Sequence, residues 1–258
     1  MSNHPANEAV PLSAVLITKD AEEHLERVLK PLRVCGEIVI LDSGSADRTR
    51  EIALDHGARW HEHPFDGYGS QKRRAVALAA NDWIVSVDAD EVLDDEAAAA
   101  LLSIPWELQD PTSCWKIFRR PFVGRREIRY THWVPDPVVR VFHRGRHDFS
   151  DAAVHETVVP TGEAHNLPGS LLHHSYRDLS EVFRMDYHCL KGARYRASGR
   201  RAVGPALAVR AGWRFFYSYI LRRGFLEGGA GVVIALAGSV NSVMGLALAS
   251  EQGDEEQV

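Results

Sequence analysis

Short apolar runs alternate with stretches of helical spacing through the first hundred residues of the chain. The apolar runs cover residues 12–18, 37–42, 58–63 and 83–88, and the helical stretches cover residues 21–32, 46–57, 70–80 and 94–103. Strands separated by helices of this length pair in parallel, and near-continuous apolar runs are typical of strands covered on both faces. The alternation therefore predicts an α/β fold with a mostly parallel, Rossmann-like sheet flanked by helices.

This rhythm ends after residue 105. Residues 113–120 and 138–144 have the pattern of strands with interleaved basic residues, and they predict a second layer added to the first. Residues 205–249 are strongly apolar and predict a helical C-terminal extension. The three cysteines, Cys35, Cys114 and Cys189, lie far apart without a CxxC pair. Neither a disulfide framework nor a zinc site is favoured, and a cytoplasmic protein is expected.

The apolar run at 83–88 ends in a cluster of acids, in the sequence IVSVDADEV. Such carboxylates repel one another unless a cation lies among them. Asp88 and Asp90 point to the same side of an extended stretch, so both can face one Mg²⁺ or Mn²⁺ ion. Asp42 ends another predicted strand and can accept hydrogen bonds from a base or ribose, because ligands of open parallel sheets bind beyond the carboxyl ends of the strands. The alternative is a solvated acidic turn that caps the next helix.

Several blocks of sequence resemble those of a known family. They are LITKDAEEHL, VILDSGSADRT, GYGSQKRRAV and DWIVSVDADE, followed by PDPVVRVFHRG, AAVHETV, LLHHSYRDL and RRGFLEGG. Together, over about residues 12 to 230, they resemble family 2 glycosyltransferases with the GT-A fold, and among these the bacterial lipopolysaccharide inner-core β-1,4-glucosyltransferases. The resemblance implies a metal-dependent transfer of a hexose, glucose being expected, from a nucleoside-diphosphate sugar to a saccharide of the lipopolysaccharide or lipooligosaccharide core.

The resemblance also implies roles for individual residues. The positions expected to bind the nucleotide sugar are Thr18, Asp42, Gly44, Gln71, Lys72, Arg73 and Asp88. Asp88 and Asp90 match the DxD motif, which holds the Mg²⁺ or Mn²⁺ on the diphosphate. The implied chain organisation is a flexible N-terminus at 1–11, a catalytic domain at 12–178 with a nucleotide half (12–104) and an acceptor half (105–178), a helical region at 179–250 and an acidic tail at 251–258.

Transfer also needs a base for the acceptor hydroxyl. Glu156 falls where related enzymes carry this base and is the first choice; Asp136 is the second. Because one base and no evident nucleophile are present, direct displacement with inversion is expected. The alternative for Glu156 is a salt bridge to a nearby arginine. Arg140, Arg144 and His155 are candidates for contacts with the acceptor or with phosphates, although the two arginines can equally be solvated.

The C-terminal region combines aromatic and basic residues in WRFFYSYILRRGFLEGG and then carries no charge over residues 228–249. This uncharged stretch is long enough to span a bilayer, but its hydrophobicity is marginal. Helices lying on an anionic membrane surface are favoured over a transmembrane anchor. A hairpin packed on its own domain or on a second copy remains the alternative.

These features predict a cytoplasmic enzyme, peripheral on the inner face of the cytoplasmic membrane. We expect a UDP-sugar donor, a lipid-linked saccharide acceptor and no nucleic-acid partner, with a homo-oligomer as a further possibility. His173 and His174 are expected to be structural. The rival function is a phosphohydrolase of the haloacid-dehalogenase type with Asp88 as nucleophile, but that motif normally ends the first strand. A dinucleotide oxidoreductase is disfavoured because no GxGxxG follows the first strand.

Overall fold

The computed structural model describes residues 10–150, 157–183 and 204–251, with isolated positions at 192, 195, 197–199 and 202. Its strands are β1 (Val10–Thr18), β2 (Cys35–Asp42), β3 (Arg59–Glu62), β4 (Trp83–Ser86), β5 (Glu91–Leu93), β6 (Cys114–Val123), β7 (Arg126–Glu127), β8 (Asp136–His143) and β9 (Ala164–Tyr176). Its α-helices are α1 (Leu25–Leu32), α2 (Thr49–Asp55), α3 (Tyr68–Ala77), α4 (Asp95–Ser103), α5 (Gly204–Phe216) and α6 (Gly228–Glu251). A π-helical turn at Tyr217–Leu221 and a 3₁₀ turn at Gly224–Glu227 connect α5 to α6.

The described strands form one sheet in the order β3-β2-β1-β4-β8-β6-β9-β5, with β7 paired to β6. The pairs β1–β2, β1–β4 and β2–β3 are parallel, as the alternating sequence pattern predicts. Strand β8 then runs antiparallel to β4, and β6 runs antiparallel to β8. The prediction of a separate second layer after residue 105 is therefore wrong, because β6 and β8 extend the first sheet.

Strand β5 is a further departure from the sequence-based prediction, which places no strand between the run at 83–88 and the helical stretch at 94–103. Glu91 and Leu93 pair with His173 and Leu171 of β9 across an antiparallel ladder. A three-residue strand is too short to leave a period-2 signal in the sequence, and its partner lies eighty residues further along the chain. This long-range pairing brings His173 beside the acidic cluster.

Both faces of the parallel part of the sheet are buried. Leu12, Ala14 and Leu16 of β1 pack on one side with the apolar face of α1. Val15 packs on the other side, in a cluster that includes Ala75 of α3. This double covering explains why the strands are apolar at nearly every position, and it leaves only the strand ends available for polar chemistry.

The chain divides into two compact units. One unit comprises Met1–Arg119 and Asp136–His173, and the other comprises Arg120–Pro135 and His174–Val258. The organisation predicted from the sequence, with a helical region beginning at residue 179, stays a prediction, and its residues 1–9 and 252–258 lie outside the described part of the chain.

The second unit contains α5 and α6. Among the described residues, one stretch, Gly224–Ser250, is long and apolar enough to cross a membrane, with a mean hydropathy of 2.0. In the structure Ala230, Ile234 and Ala237 of this stretch are buried in a cluster with Ile128 and Val182. Helix α6 thus supplies the apolar core of its own unit.

Candidate active site

Asp42 organises the loop that follows β2. Its side chain is buried at the end of the strand, directly opposite Thr18 in the parallel register. Its Oδ1 accepts hydrogen bonds from the hydroxyls of Thr18 (2.7 Å) and Ser45 (2.5 Å). Its Oδ2 accepts from the backbone N–H groups of Gly44 (2.7 Å) and Ser45 (2.6 Å). In this arrangement Asp42 shapes the loop, and Gly44 takes a positive φ of 88° that glycine adopts readily.

A pocket opens beside this loop. It encloses about 420 Å³ and is lined by Ile17, Thr18, Lys19, Ser43, Phe65 and Tyr68. The rings of Phe65 and Tyr68 meet edge to face with centroids 5.0 Å apart, and both rings are about half exposed. Exposed aromatic rings beside polar strand ends provide a stacking surface for a planar ring such as a nucleobase.

Helix α3 begins next to the pocket and carries the predicted basic segment. Gln71 is buried and donates hydrogen bonds from Nε2 to Ser43 Oγ and to the His63 carbonyl, both at 3.0 Å. Lys72 is also buried, and its Nζ lies 2.6 Å from Asp88 Oδ1. Arg73 donates to the carbonyl of Phe149 at 3.1 Å. The three residues therefore connect the β2 loop, the acidic cluster and the chain after β8.

The acidic cluster is balanced by cations of the chain itself. Asp88 Oδ2 lies 2.5 Å from Arg140 Nη2, and the same Arg140 nitrogen lies 2.5 Å from Glu91 Oε1. Burial alone would raise the pKa of Asp88, but the charges of Arg140 and Lys72 hold that pKa well below its usual range. Likewise, burial would lower the pKa of Arg140, and the two carboxylates raise it. Asp88 is thus an ionised anchor for two cations.

A second layer of ion pairs surrounds this centre. Arg119 Nη1 lies 3.3 Å from the fully buried Glu91, and its Nη2 lies 2.7 Å from Asp136 Oδ2. Asp136 begins β8 opposite Arg119 in the antiparallel register, which places this candidate base next to the cluster. The backbone N–H of Asp88 also donates to Glu91 Oε2 at 3.2 Å.

Asp90 has a different partner from Asp88. Its Oδ2 lies 3.5 Å from Nε2 of His173, which faces it from β9. Burial would raise the pKa of Asp90 and the nearby Asp88 adds to this effect, but the hydrogen bond and charge of His173 lower it overall. Asp90 and His173 are both partly exposed to solvent.

The side chains of Asp90 and His173 fit a divalent ion that takes its other ligands from a diphosphate and water, as Mg²⁺ and Mn²⁺ commonly do. Within the described residues no group of three or more histidine, cysteine, aspartate or glutamate side chains is arranged to hold a metal. A site completed by substrate oxygens agrees with that finding. The sequence predicts that Asp88 and Asp90 face one ion, whereas Asp88 is engaged by Lys72 and Arg140.

One predicted site residue, Arg144, is not brought to this edge. Arg144 follows β8, four residues beyond Arg140, and its Nε lies 3.0 Å from Asp82, which precedes β4. Because β8 is antiparallel to β4, Arg144 lies at the opposite edge of the sheet from Asp88. His155 and Glu156 lie outside the described residues, so their roles stay predictions.

Sequence reasoning missed several residues of this edge. Arg119 and His173 join the cluster through strand pairings between distant segments, and Phe65 and Tyr68 line the pocket at the start of α3. The interleaved arginines of residues 113–120 and 138–144 were the available signal for Arg119. His173 is expected to be structural from the sequence alone, but its contact with Asp90 makes it a candidate ligand.

A four-stranded parallel half-sheet, extended by antiparallel strands, whose carboxyl edge carries an aromatic pocket, an acidic pair and buried cations is an α/β domain of the GT-A type. The sequence profile described as "Glycosyl transferase family 2" matches residues 13–145. The chain is also 32% identical to the lipopolysaccharide core biosynthesis glycosyltransferase LpsC of Rhizobium meliloti, over 90% of this chain and 88% of that protein. The chain therefore belongs to glycosyl transferase family 2 and is a transferase, and the phosphohydrolase alternative is set aside.

Other relatives are more distant. An uncharacterized glycosyltransferase of Rickettsia bellii is 26% identical over 86% of this chain and 80% of its own length. Among solved structures, glucosyl-3-phosphoglycerate synthase from Mycobacterium tuberculosis, in complex with Mn²⁺, UDP and glucosyl-3-phosphoglycerate, is 21% identical with a TM-score of 0.46, covering 70% of this chain and 77% of that one.

Proposed function

We propose that this enzyme transfers a hexose, with glucose as the expected sugar, from a UDP-sugar to a saccharide of a lipopolysaccharide or lipooligosaccharide core. The observation that carries the donor assignment is the grouping of Asp90 with His173 and of Asp88 with Lys72 and Arg140 beside the aromatic pocket. The name of the Rhizobium meliloti relative supports the acceptor assignment. A lipid-linked acceptor places the enzyme on the cytoplasmic side of the membrane.

In this proposal the aromatic pair Phe65 and Tyr68 receives the base, and Thr18, Gly44 and Gln71 shape the adjoining loop. Asp90 and His173 hold Mg²⁺ or Mn²⁺, which when bound supplies positive charge to the diphosphate. Lys72 and Arg140, held in place by Asp88, add fixed positive charge at the same edge. Preorganised charge of this kind stabilises a leaving group without reorganisation during the reaction.

The chemical step is a single displacement. An acceptor hydroxyl oxygen forms a bond to the anomeric carbon, the bond from that carbon to the diphosphate oxygen breaks, and the electron pair leaves with the nucleoside diphosphate. The hydroxyl proton passes to a carboxylate, for which Glu156 is the first candidate and Asp136 the second. Because one displacement reverses the anomeric configuration, inversion is expected.

A donor screen tests this proposal. Purified protein is incubated with Mn²⁺ or Mg²⁺, a panel of nucleotide sugars and a lipooligosaccharide extract, and released nucleoside diphosphate is measured. We expect release from a UDP-hexose only when both metal and acceptor are present. Release from none of the donors would contradict the proposal.

Two variants sharpen the metal assignment. Asp90→Asn is expected to lower metal-dependent release by about a hundredfold or more, because it removes a charged ligand of the ion. The matched control is Asp82→Asn, which changes an exposed acid at the other end of β4 and is expected to leave release unchanged. Manganese binding followed by electron paramagnetic resonance should weaken in Asp90→Asn but persist in Asp88→Asn. The opposite order would assign the ion to Asp88.

A further inference from the structure

Helix α5 exposes an apolar stripe. Val209, Trp213, Phe216 and Ile220 follow one another at spacings of four, three and four residues, so they lie on one side of α5 and its π-helical continuation. Their exposed fractions are 73%, 60%, 43% and 44%. The connection to α6 adds three more exposed apolar side chains, which are Leu221, Phe225 and Leu226.

The other side of α5 faces its own unit. Leu207, Ala211 and Phe215 are only partly exposed, Ser218 is fully buried, and Arg210 donates from Nε to the carbonyl of Ser242 on α6 at 2.8 Å. The helix therefore packs through one side, while its largest apolar residues point to solvent. An exposed apolar patch rimmed by polar groups marks an interaction surface.

The segment that carries the stripe is positively charged. Residues 204–226 contain the arginines Arg210, Arg214, Arg222 and Arg223 and no aspartate or glutamate. The next acid, Glu227, is buried and accepts hydrogen bonds from Arg126 and from the backbone N–H groups of Arg129 and Tyr130. It therefore does not offset the positive charge of the exposed face.

We propose that this face, formed by the stripe from Val209 to Ile220, the connection to Leu226 and the arginines Arg222 and Arg223, docks on the surface of an anionic lipid bilayer. Aromatic and apolar side chains enter the headgroup boundary, and arginines beside them contact lipid phosphates. A second copy of the chain is a poorer occupant. A two-fold contact through this face would bring Arg222 and Arg223 of both copies together, and residues 204–226 contain no acid to balance them.

Helix α6 is not the membrane element in this proposal, although its composition makes it the candidate span. Ala230, Ile234 and Ala237 line the core of the unit. Gly238 has no room for a side chain, because a Cβ there would overlap the ring of His132. Exposing α6 to lipid would dismantle these contacts, whereas the α5 face is already exposed. The docking face deepens the proposed function and rests on it in one respect, which is that the lipid-linked acceptor lies in the same bilayer.

Vesicle flotation with the full chain tests the docking face. We expect the protein to float with phosphatidylcholine vesicles that contain phosphatidylglycerol and to float much less with phosphatidylcholine alone, with the bound fraction falling as salt rises. The double variant Trp213→Ser with Phe216→Ser should lower the partition coefficient about tenfold or more, since two large apolar side chains no longer leave water. The matched control is Leu108→Ser, at an 82% exposed apolar position in the other unit.

A charge variant separates the electrostatic contribution to vesicle binding from the apolar one. Arg222→Gln with Arg223→Gln should lower partitioning onto anionic vesicles about thirtyfold, since roughly 1 kcal/mol for each arginine adds up to about 2 kcal/mol, and should leave the weak binding to neutral vesicles unchanged. Circular dichroism melting checks that each variant folds. Equal flotation on neutral and anionic vesicles would overturn the charge assignment, and wild-type flotation of the Trp213→Ser, Phe216→Ser variant would overturn the face itself.

Two further readouts keep the outcomes distinct. If analytical ultracentrifugation finds a dimer that the Trp213→Ser, Phe216→Ser variant converts to a monomer, the occupant is a second copy and the bilayer proposal fails. Nucleoside diphosphate release with detergent-solubilised acceptor reports on catalysis without a membrane. Normal release with failed flotation removes only this inference, whereas flotation without release from any donor contradicts the proposed function.

Discussion

Arg140 bridges two carboxylates in a position where water cannot replace it. The side chain is almost completely buried, it touches Asp88 and Glu91 at 2.5 Å each, and Glu91 is fully buried. The Nε of Arg140 is also buried without a hydrogen-bond partner in the structure. A buried charge that loses its partner costs far more than the pair contributes. The stability of the cluster therefore depends strongly on this one guanidinium.

Arg140→Gln is expected to lower the free energy of unfolding by about 3 to 5 kcal/mol, because it leaves Glu91 buried without its closest cation. Denaturant unfolding measures the change. The matched control is Arg144→Gln, which lies just beyond β8 at the opposite edge of the sheet and pairs with the exposed Asp82; that pair should contribute less than about 1 kcal/mol. Adding Glu91→Gln to Arg140→Gln should recover part of the loss, and a double variant as unstable as the sum of the two would argue against the pairing.

His132 is a partly buried histidine that is neutral at pH 7 in the folded chain. Burial, together with the positive charge of Arg214, lowers its pKa from 6.5 to about 4, and its Nδ1 lies 2.8 Å from Ser218 Oγ. Between these two pKa values the unfolded chain binds a proton that the folded chain does not. Stability should therefore be complete above pH 6.5 and should fall as the pH drops towards 4.

This contribution is measurable against a variant. His132→Asn should remove a pH dependence worth about 3 kcal/mol at most between the two pKa values, since each unit of pKa shift corresponds to about 1.4 kcal/mol. Unfolding free energies of wild type and variant, compared from neutral pH down to pH 4, give the difference. Parallel curves for the two proteins would show that His132 is not the group responsible.

Helix α6 is held against its unit by glycines. A Cβ on Gly238 would overlap the ring of His132, and a Cβ on Gly231 would overlap the carbonyl of Gly224. These close approaches explain why an apolar helix carries residues of low helix propensity in its interior. The same composition that suggests a membrane span is thus accounted for by backbone packing within a folded unit.

Gly238→Ala is expected to destabilise the protein by about 1 to 3 kcal/mol, because an added methyl group must displace the His132 ring. Gly229→Ala is the matched control on the same helix, since nothing lies within 4 Å of a Cβ at that position. It should be neutral or stabilising by up to about 1 kcal/mol through helix propensity. Thermal denaturation followed by circular dichroism compares the two, and equal effects would contradict the close contact.

The polar chemistry of the catalytic unit collects at one edge of a sheet that is apolar elsewhere. The anchors come from two strand ends, with Asp42 at the end of β2 and Asp88 and Asp90 after β4, and each is satisfied by neighbours within the same unit. A donor that binds only the folded form should therefore stabilise this unit by mass action. The stabilisation should depend on the metal if Asp90 and His173 hold it.

Differential scanning fluorimetry with UDP tests this coupling. UDP together with Mn²⁺ is expected to raise the unfolding temperature more than either alone, corresponding to about 3 kcal/mol at a hundred times the dissociation constant. In Asp90→Asn the synergy between UDP and Mn²⁺ should disappear, while Asp82→Asn should retain it. Synergy that survives in Asp90→Asn would place the ion elsewhere.

The amino-acid sequence determined the parallel half of the fold and the acidic strand end. Hydrophobic periodicity, the turn residues between elements and clusters of charge are local properties, so they can be read from the sequence alone. The family and its GT-A fold were confirmed for the same reason. Only the tertiary structure decided which cation meets which carboxylate. Lys72, Arg119 and Arg140 reach Asp88 and Glu91 through the packing of α3 and antiparallel pairings between distant strands, and His173 reaches Asp90 through β9.

The C-terminal region shows the same division between sequence and structure. Its composition indicated apolar and basic helices, but composition does not determine which side of a helix is buried. Packing buried Ile234 of α6 and left Trp213 of α5 exposed, although α6 is the more apolar helix. Whether a side chain is buried depends on the residues that surround it in space, and the tertiary structure determines which residues those are.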